Sequence, residues 1–263
     1  MPELPEVESF KNYFERTSLN KKIFDIEGES KELIKNTSFK KFKKKLINKK
    51  FKTCWRKGKF LIVKIEEIPE KMVLHFGMTG GLNYTKQGTE KEGKDRFTRL
   101  TFKFSNGYEL RWLNMRKLGK VYLVDDLNKI NLLGEMGPEP LSLSKNEFLG
   151  LLDKHKNKNI KAFLIDQRDI AGIGNVYSDE ILFHSRVSPH RKIGSLRQRE
   201  KIYKQMVKVL KNAIKILIQQ KEFSRSWLIP HRRTDMKCPT NKHWLKREVI
   251  AGRPSIWCPK CQH

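Results

Sequence analysis

The chain opens on a helical pattern. Leu4, Val7, Phe10 and Phe14 recur at the spacing of one helix face. Pro2 and Pro5 stand in the opening turn, where a missing N–H costs nothing because it would be unpaired anyway. The pattern predicts a helix over 2–18, with Glu3, Glu6 and Glu8 at its positive end. From about 21 to 124 the apolar runs shorten to strand length: 59–65, 71–76, 99–104, 108–113 and 120–124. Asn106-Gly107 between two of them is a hairpin signal. The polar, glycine-bearing stretch 85–96 reads as a mobile loop.

The period changes after a break at 134–140 (GEMGPEP). Ser144 and Glu147 form a capping box that starts a helix running to about His155. Residues 158–186 read as two helices parted by a glycine turn, 171–175 (AGIGN). Ser195 is expected to cap a long helix whose apolar stripe is Tyr203, Met206, Leu210, Ile214 and Leu217. A basic connector over 223–237 leads to a small cysteine-bearing end. The expected fold class is therefore α+β. Its divisions are 1–134 for the helix and antiparallel sheets, 135–143 for a linker, 144–237 for a helical domain and 238–263 for a hairpin module.

Charge adds a partner to this outline. The 263 residues carry 56 Lys+Arg against 29 Asp+Glu, a formal charge of +27, with 38% hydrophobic residues to supply a core. Such an excess suits a polyanion, nucleic acid first. No apolar run is long enough to span a bilayer. The acidic start MPELPEVESF lacks the features of a signal peptide, so an intracellular location is expected. Twelve Lys or Arg and no acid fall in 35–59, interleaved with Phe39, Phe42, Phe51 and Trp55. That run reads as a phosphate-tracking strand face, with a solvated face as the plainer alternative.

Three of the four cysteines lie close together at the end, with Cys258 and Cys261 in a C-x2-C spacing that suits zinc. Asn241 stands where a second thiol would pair with Cys238. The expected ligand set is Cys238, His243, Cys258 and Cys261, with His263 as an alternative donor and a metal-free hairpin as the alternative state. Cys54 reads as a small buried residue. The glycine turn would let a backbone approach a ligand closely, and the helix after it would offer N–H groups to an anion.

Several segments together resemble the formamidopyrimidine-DNA glycosylase and endonuclease VIII family. They are 1–8 (MPELPEVE), 75–82 (HFGMTGGL), 114–119 (NMRKLG), 166–183 (DQRDIAGIGNVYSDEILF) and 247–262 (REVIAGRPSIWCPKCQ), in family order. The resemblance implies a β-sandwich domain, a helix–two-turn–helix domain and a zinc-finger hairpin. It implies a bifunctional DNA glycosylase and AP lyase that excises oxidised bases, formamidopyrimidines and 8-oxoguanine among them, from duplex DNA. An endonuclease VIII-like enzyme for oxidised pyrimidines and a non-catalytic damage-binding protein are the alternatives.

The resemblance also assigns roles. After removal of Met1, Pro2 would attack the sugar, its amine being a better neutral nucleophile near pH 8 than a lysine. Glu3 would move protons, and Glu6 would help organise the terminus. Lys59, in a strand, would sit near the lesion, and Lys57 would turn to the other face or to a phosphate. Asn175 and Arg253 would clamp phosphates. Met78, Arg116 and Leu118 would fill the gap left by the flipped base. The implied partner is damaged double-stranded DNA, with no membrane and no obligate protein partner. The implied setting is a monomer on the nucleoid in the cytoplasm. Three departures stand out: Asn241 for a zinc cysteine, Asn114–Leu118 in place of an Asp-Pro and phenylalanine wedge, and a short 221–237 segment where a longer loop would cap a flipped purine.

Overall fold

A computed structural model describes residues 1–28, 31–89, 95–233 and 236–263. The chain divides into two compact units, one of Met1–Pro2 with Glu6–Gly134, the other of Glu3–Pro5 with Glu135–His263.

The first unit takes most of helix α1 (Leu4–Ser18). Two sheets follow. One orders β1 (Ile23–Gly28), β7 (Thr98–Phe104), β8 (Tyr108–Asn114) and β6 (Gly80–Lys86). The other orders β2 (Ile34–Lys35), β9 (Lys120–Val124), β5 (Lys71–His75), β4 (Phe60–Ile65) and β3 (Phe51–Lys57). All pairs are antiparallel except β2 with β9. Their inner faces share one core with α1, in which Phe14, Phe51 and Phe102 are fully buried and the Phe51 and Phe102 rings meet edge-on at 5.4 Å. Burying such aromatics from both sheets makes the pair a sandwich. The Asn106-Gly107 hairpin forms as its sequence predicts, with Gly107 at φ +81° in the loop between β7 and β8.

Three features differ from the sequence reading. The basic run is not a continuous strand: Phe39–Leu46 forms helix α2, capped by Ser38 and burying Phe42 and Leu46 while its five lysines stay at the surface. Lys43 and Lys52 pair with Asp25 and Glu66 at 2.6 and 2.7 Å, and Lys45 and Lys49 pair with Glu70 and Glu67. These four of the twelve basic side chains of that run are thus paired with carboxylates of their own unit. Strands β1 and β6 were unforeseen. Of the expected loop 85–96, Thr85–Lys86 belong to β6 and Asp95 opens a 3-10 turn, while 90–94 lie outside the described residues. A short helix α3 (Asn131–Gly134) ends the unit.

In the second unit, Glu135–Leu143 carries neither helix nor strand. The capping box of Ser144 and Glu147 starts α4 (Lys145–Lys154) as expected. Helices α5 (Ile160–Ile165) and α6 (Asn175–Ser185) flank the glycine turn. The long helix α7 (Arg199–Ile218) begins later than Ser195, which lies in a separate 3-10 turn and donates its hydroxyl to Lys192 O. Its buried stripe centres on Ile202, Met206, Val209, Leu210 and Ala213, one position round from the predicted one. Strands β10 (Lys246–Ile250) and β11 (Arg253–Trp257) pair through a two-residue turn. Both turn residues, Ala251 and Gly252, have positive φ, the signature of a type I′ turn. Among the described residues no helix is long and apolar enough to cross a membrane.

Candidate active site and metal centre

The glycine turn meets an anion from its own chain. Glu3 is 1% exposed, and its carboxylate accepts the backbone N–H groups of Gly174 (2.8 Å), Val176 (2.9 Å) and Tyr177 (3.2 Å). These are donors that the start of α6 cannot satisfy internally, and a carboxylate suits the positive end of the helix. The turn's sequence is shaped to this contact. A Cβ on Gly174 would lie 2.4 Å from the Glu3 carboxyl carbon, and one on Gly172 (φ +79°) would lie 2.8 Å from Leu4 Cβ. Leu4 N–H in turn donates to Gly172 O at 2.9 Å. The anion expected at this helix start is thus the Glu3 side chain and not a phosphate. Pro2, one residue earlier, is half-buried and precedes the first helical residue.

In the first unit, Lys59 and Gly58 form the two-residue turn between β3 and β4, so Lys59 stands at a hairpin tip and not within a strand. Gly58 takes φ +56°, as the first central position of a type II′ turn requires. Arg56 steadies the tip: it donates to Gly58 O at 3.1 Å and to Glu8 at 2.8 Å. Lys57 donates to Leu133 O at 3.1 Å, a carbonyl of its own unit. Glu6 lies in the first turn of α1.

His75 is a residue that sequence reasoning passed over. It pairs with Phe60 and Lys120 across the sheet, and its ring packs 4.9 Å from that of Phe60 at a tilt of 42°. Burial, with help from Lys59 and Lys120, pushes its pKa down to about 4, so it is neutral at physiological pH. It lines a cavity of about 460 Å³ with Phe60, Leu118, Lys120 and Tyr122. The signal was present in the sequence, since His75 opens the HFGMTGG segment.

Two turns carry the expected gap-filling residues, and the structure brings them together. Met78 is 41% exposed in the turn between β5 and β6, and Leu118 is 47% exposed between β8 and β9. Arg116 is exposed and its N–H donates to Thr79 Oγ1 at 3.0 Å. The turns are in backbone contact: a Cβ on Gly77 (φ +61°) would lie 2.6 Å from both Leu118 C and Gly119 N. Asn114, fully buried, joins them by donating to Phe76 O (3.0 Å) and accepting Leu118 N–H (3.1 Å).

On the second unit, Asn175 Nδ2 donates to Pro254 O at 2.7 Å, which ties the start of α6 to the strand opened by the exposed Arg253. Buried Asp179 reinforces this join. It accepts Ser255 Oγ (2.6 Å), Ile256 N–H (3.1 Å), Arg232 (2.6 Å) and the fully buried Lys161. Burial pulls the Lys161 pKa below its usual value, with Asp179 opposing. Glu180 takes the N–H groups of Leu228 (2.9 Å) and Ile229 (2.8 Å), so part of the short connector is tied to α6. Thr234 and Asp235 of that connector lie outside the described residues.

Cys238, Cys258 and Cys261 present sulfurs within 4.8 Å of one another, forming the one such group of metal donors among the described residues. The chemistry fits zinc. Burial and its thiol neighbours push Cys261 up to about 12, and three thiolates can share so small a volume only around a cation. His243 does not join them. Its side chain is exposed, and the tight turn after Cys238 directs position 241, not 243, toward the sulfurs. Cys54 is buried, and that burial raises its pKa to about 12.

Comparison with known proteins gives a consistent result. A family model described as the formamidopyrimidine-DNA glycosylase N-terminal domain matches residues 1–121, and one for the H2TH domain of the same enzyme matches 136–223. The chain is 31% identical to the formamidopyrimidine-DNA glycosylase of Pelotomaculum thermopropionicum, over 100% of this chain and 99% of that protein. It is 33% identical to that of Mycoplasma mobile with the same coverage. A crystal structure of Lactococcus lactis Fpg with DNA containing N7-benzyl-Fapy-dG superposes with a TM-score of 0.85 at 28% identity, over 99% of each chain.

Proposed function

The chain belongs to the formamidopyrimidine-DNA glycosylase family, and on that premise we propose how its own residues divide the work. The protein is a bifunctional DNA glycosylase and AP lyase that acts on oxidised bases in damaged double-stranded DNA. Formamidopyrimidines are its principal substrates, with 8-oxoguanine a further one. With Met1 removed, the Pro2 nitrogen attacks C1′ of the flipped nucleotide and the glycosidic bond breaks, the base leaving with the bonding pair and gaining a proton. The Pro2 nitrogen, now an ammonium, passes its proton to the Glu3 carboxylate; the C1′–O4′ bond then opens as the iminium forms, and O4′ takes that proton back from Glu3. The iminium draws electrons from the sugar: loss of a C2′ proton expels the 3′ phosphate, and a second elimination expels the 5′ phosphate.

The observation that carries this reading is the seat of Glu3, a buried carboxylate held by three N–H groups next to the nucleophile in the chain. Lys59 and neutral His75 face the lesion strand. Asn175 and Arg253 hold the flanking phosphates, and Met78, Arg116 and Leu118 occupy the space vacated by the base. The Cys238, Cys258 and Cys261 thiolates hold a structural zinc ion, which supplies a fixed crosslink to a hairpin with little core of its own. The protein works as a monomer on the nucleoid. The division into 1–134, 135–143, 144–237 and 238–263 is retained as the functional map.

A second reading has its own support. The connector after α7 is short and tied down through Glu180 and Asp179, which favours a range that extends to oxidised pyrimidines.

Borohydride in the presence of abasic-site duplex should trap one covalent adduct, and peptide mapping should place it on Pro2. An adduct at Lys59, or none from folded protein, would remove the nucleophile from the scheme. A panel of duplexes with single defined lesions should show formamidopyrimidine excised fastest.

A further inference from the structure

The turn that follows Cys238 is built around one side chain. Lys242 N–H donates to Cys238 O at 3.0 Å, and Cys238 N–H to His243 O at 2.7 Å. Lys242 itself takes φ +63°. The chain thus closes over four residues and turns Asn241 back toward the sulfurs. Asn241 Nδ2 lies 3.1 Å from Cys261 Sγ and 3.5 Å from Cys258 Sγ, and its Oδ1 lies 3.6 Å from Cys258 Sγ. Cys238 Sγ lies 3.7 Å from Cys261 Sγ.

Those separations have a geometric meaning. A tetrahedral zinc with metal–sulfur bonds of about 2.3 Å has sulfur–sulfur edges of about 3.8 Å, and an oxygen vertex at about 2.1 Å shortens its edges to about 3.6 Å. The Cys238–Cys261 pair at 3.7 Å and the Asn241 Oδ1–Cys258 pair at 3.6 Å match these edges. His243 contributes only its backbone. Its N–H donates to Asn241 Oδ1 at 3.0 Å, which fixes which end of the amide is oxygen. A carbonyl oxygen has a second lone pair, so this hydrogen bond leaves one free for a metal and orients it.

We propose that Asn241 Oδ1 is the fourth zinc ligand, completing a site with Cys238, Cys258 and Cys261, and that His243 N–H is the outer partner that aims it. A centre of three thiolates and one neutral oxygen carries a formal charge of −1, where four thiolates would carry −2. The difference lies in the module that carries Arg253 and Arg247, so the hairpin meets a polyanion with one less negative charge. The inference rests on reading the three thiols as a zinc centre. A chain that binds no zinc overturns both, whereas a centre that ignores Asn241 overturns this inference alone.

The test uses the full chain. X-ray absorption at the zinc edge should fit three sulfurs and one light atom, without the outer-shell scattering of an imidazole ring. Competition with a chromophoric chelator should show Asn241→Ala binding zinc at least tenfold more weakly. Asn241→Asp, which keeps an oxygen and adds charge, should bind at least as tightly as the native chain. His243→Ala should stay within twofold. Asn241→Cys should give a four-sulfur spectrum. An imidazole signature, loss of affinity in His243→Ala, or native affinity in Asn241→Ala would each overturn the assignment. The spectrum of the native chain decides the matter even if a variant fails to fold.

Discussion

A single hydrogen atom at position 174 sets how near the α6 backbone comes to Glu3. Replacing it with a methyl places carbon 2.4 Å from the carboxyl carbon, deep inside contact distance. The carboxylate must then leave its three N–H partners or push the turn open. Gly174→Ala should cost about 1–3 kcal/mol of stability, the usual toll of overpacking, and slow base excision at least ~10-fold because Glu3 no longer sits where Pro2 needs it. Thermal unfolding and single-turnover excision would measure the two effects. Gly150, with open space around its Cα, is the control: alanine there should raise stability slightly, by roughly 0.5–1 kcal/mol, since it lies in a helix. If Gly174→Ala excises like Gly150→Ala, Glu3 is not held by that cradle in the working enzyme.

Turns behave as a pair when one buried side chain serves both. Asn114 spends its amide on Phe76 O and on Leu118 N–H, and so fixes the turns that carry Met78 and Leu118. Asn114→Ala leaves both backbone groups without their partner, which costs about 1–3 kcal/mol. It should also weaken binding to a lesion duplex by roughly tenfold, with discrimination among opposite bases lost, since Met78 and Arg116 would no longer arrive together. Urea unfolding and binding to duplexes differing only opposite the lesion would test this, and unchanged discrimination would refute the linkage. The elements themselves were unevenly legible in the sequence. The capping box at Ser144, the Asn106-Gly107 hairpin and the glycine turn could be read because each rests on local chemistry. Helix α2 was hidden because five lysines in eight residues obscure the Phe39, Phe42 and Leu46 spacing. Strands β1 and β6 were missed because both are edge strands without the alternating pattern: β1 buries Ile23 and Ile26, three apart, and β6 buries no residue fully. The part played by Asn241 depends on a turn closing through Lys242 at positive φ, which a ligand-spacing rule does not reveal. His75 owes its significance to strands that pair it with Phe60 and Lys120, a relation between distant segments.

At the scale of the whole chain, +27 charges act at a distance. That figure already subtracts the carboxylates that pair with the lysines of α2. The excess should make affinity for undamaged duplex fall steeply with salt, with a log–log slope steeper than about −4, and Arg253→Ala should flatten it by about one. Fluorescence anisotropy between roughly 50 and 200 mM salt would give both numbers, and a slope near zero would mean the charge does not meet the backbone. The seat of Glu3 carries a further consequence. Its partners lie 171 to 174 positions downstream, and ribosomes add about 5–20 residues each second. A nascent chain therefore exposes its first residues on the order of ten seconds or more before the Glu3 carboxylate has a seat. With Pro2 and Glu3 in the roles proposed for them, unfinished translation products would carry the amine without the proton donor in place, and strand-breaking chemistry would be withheld until more than half the polypeptide has been made.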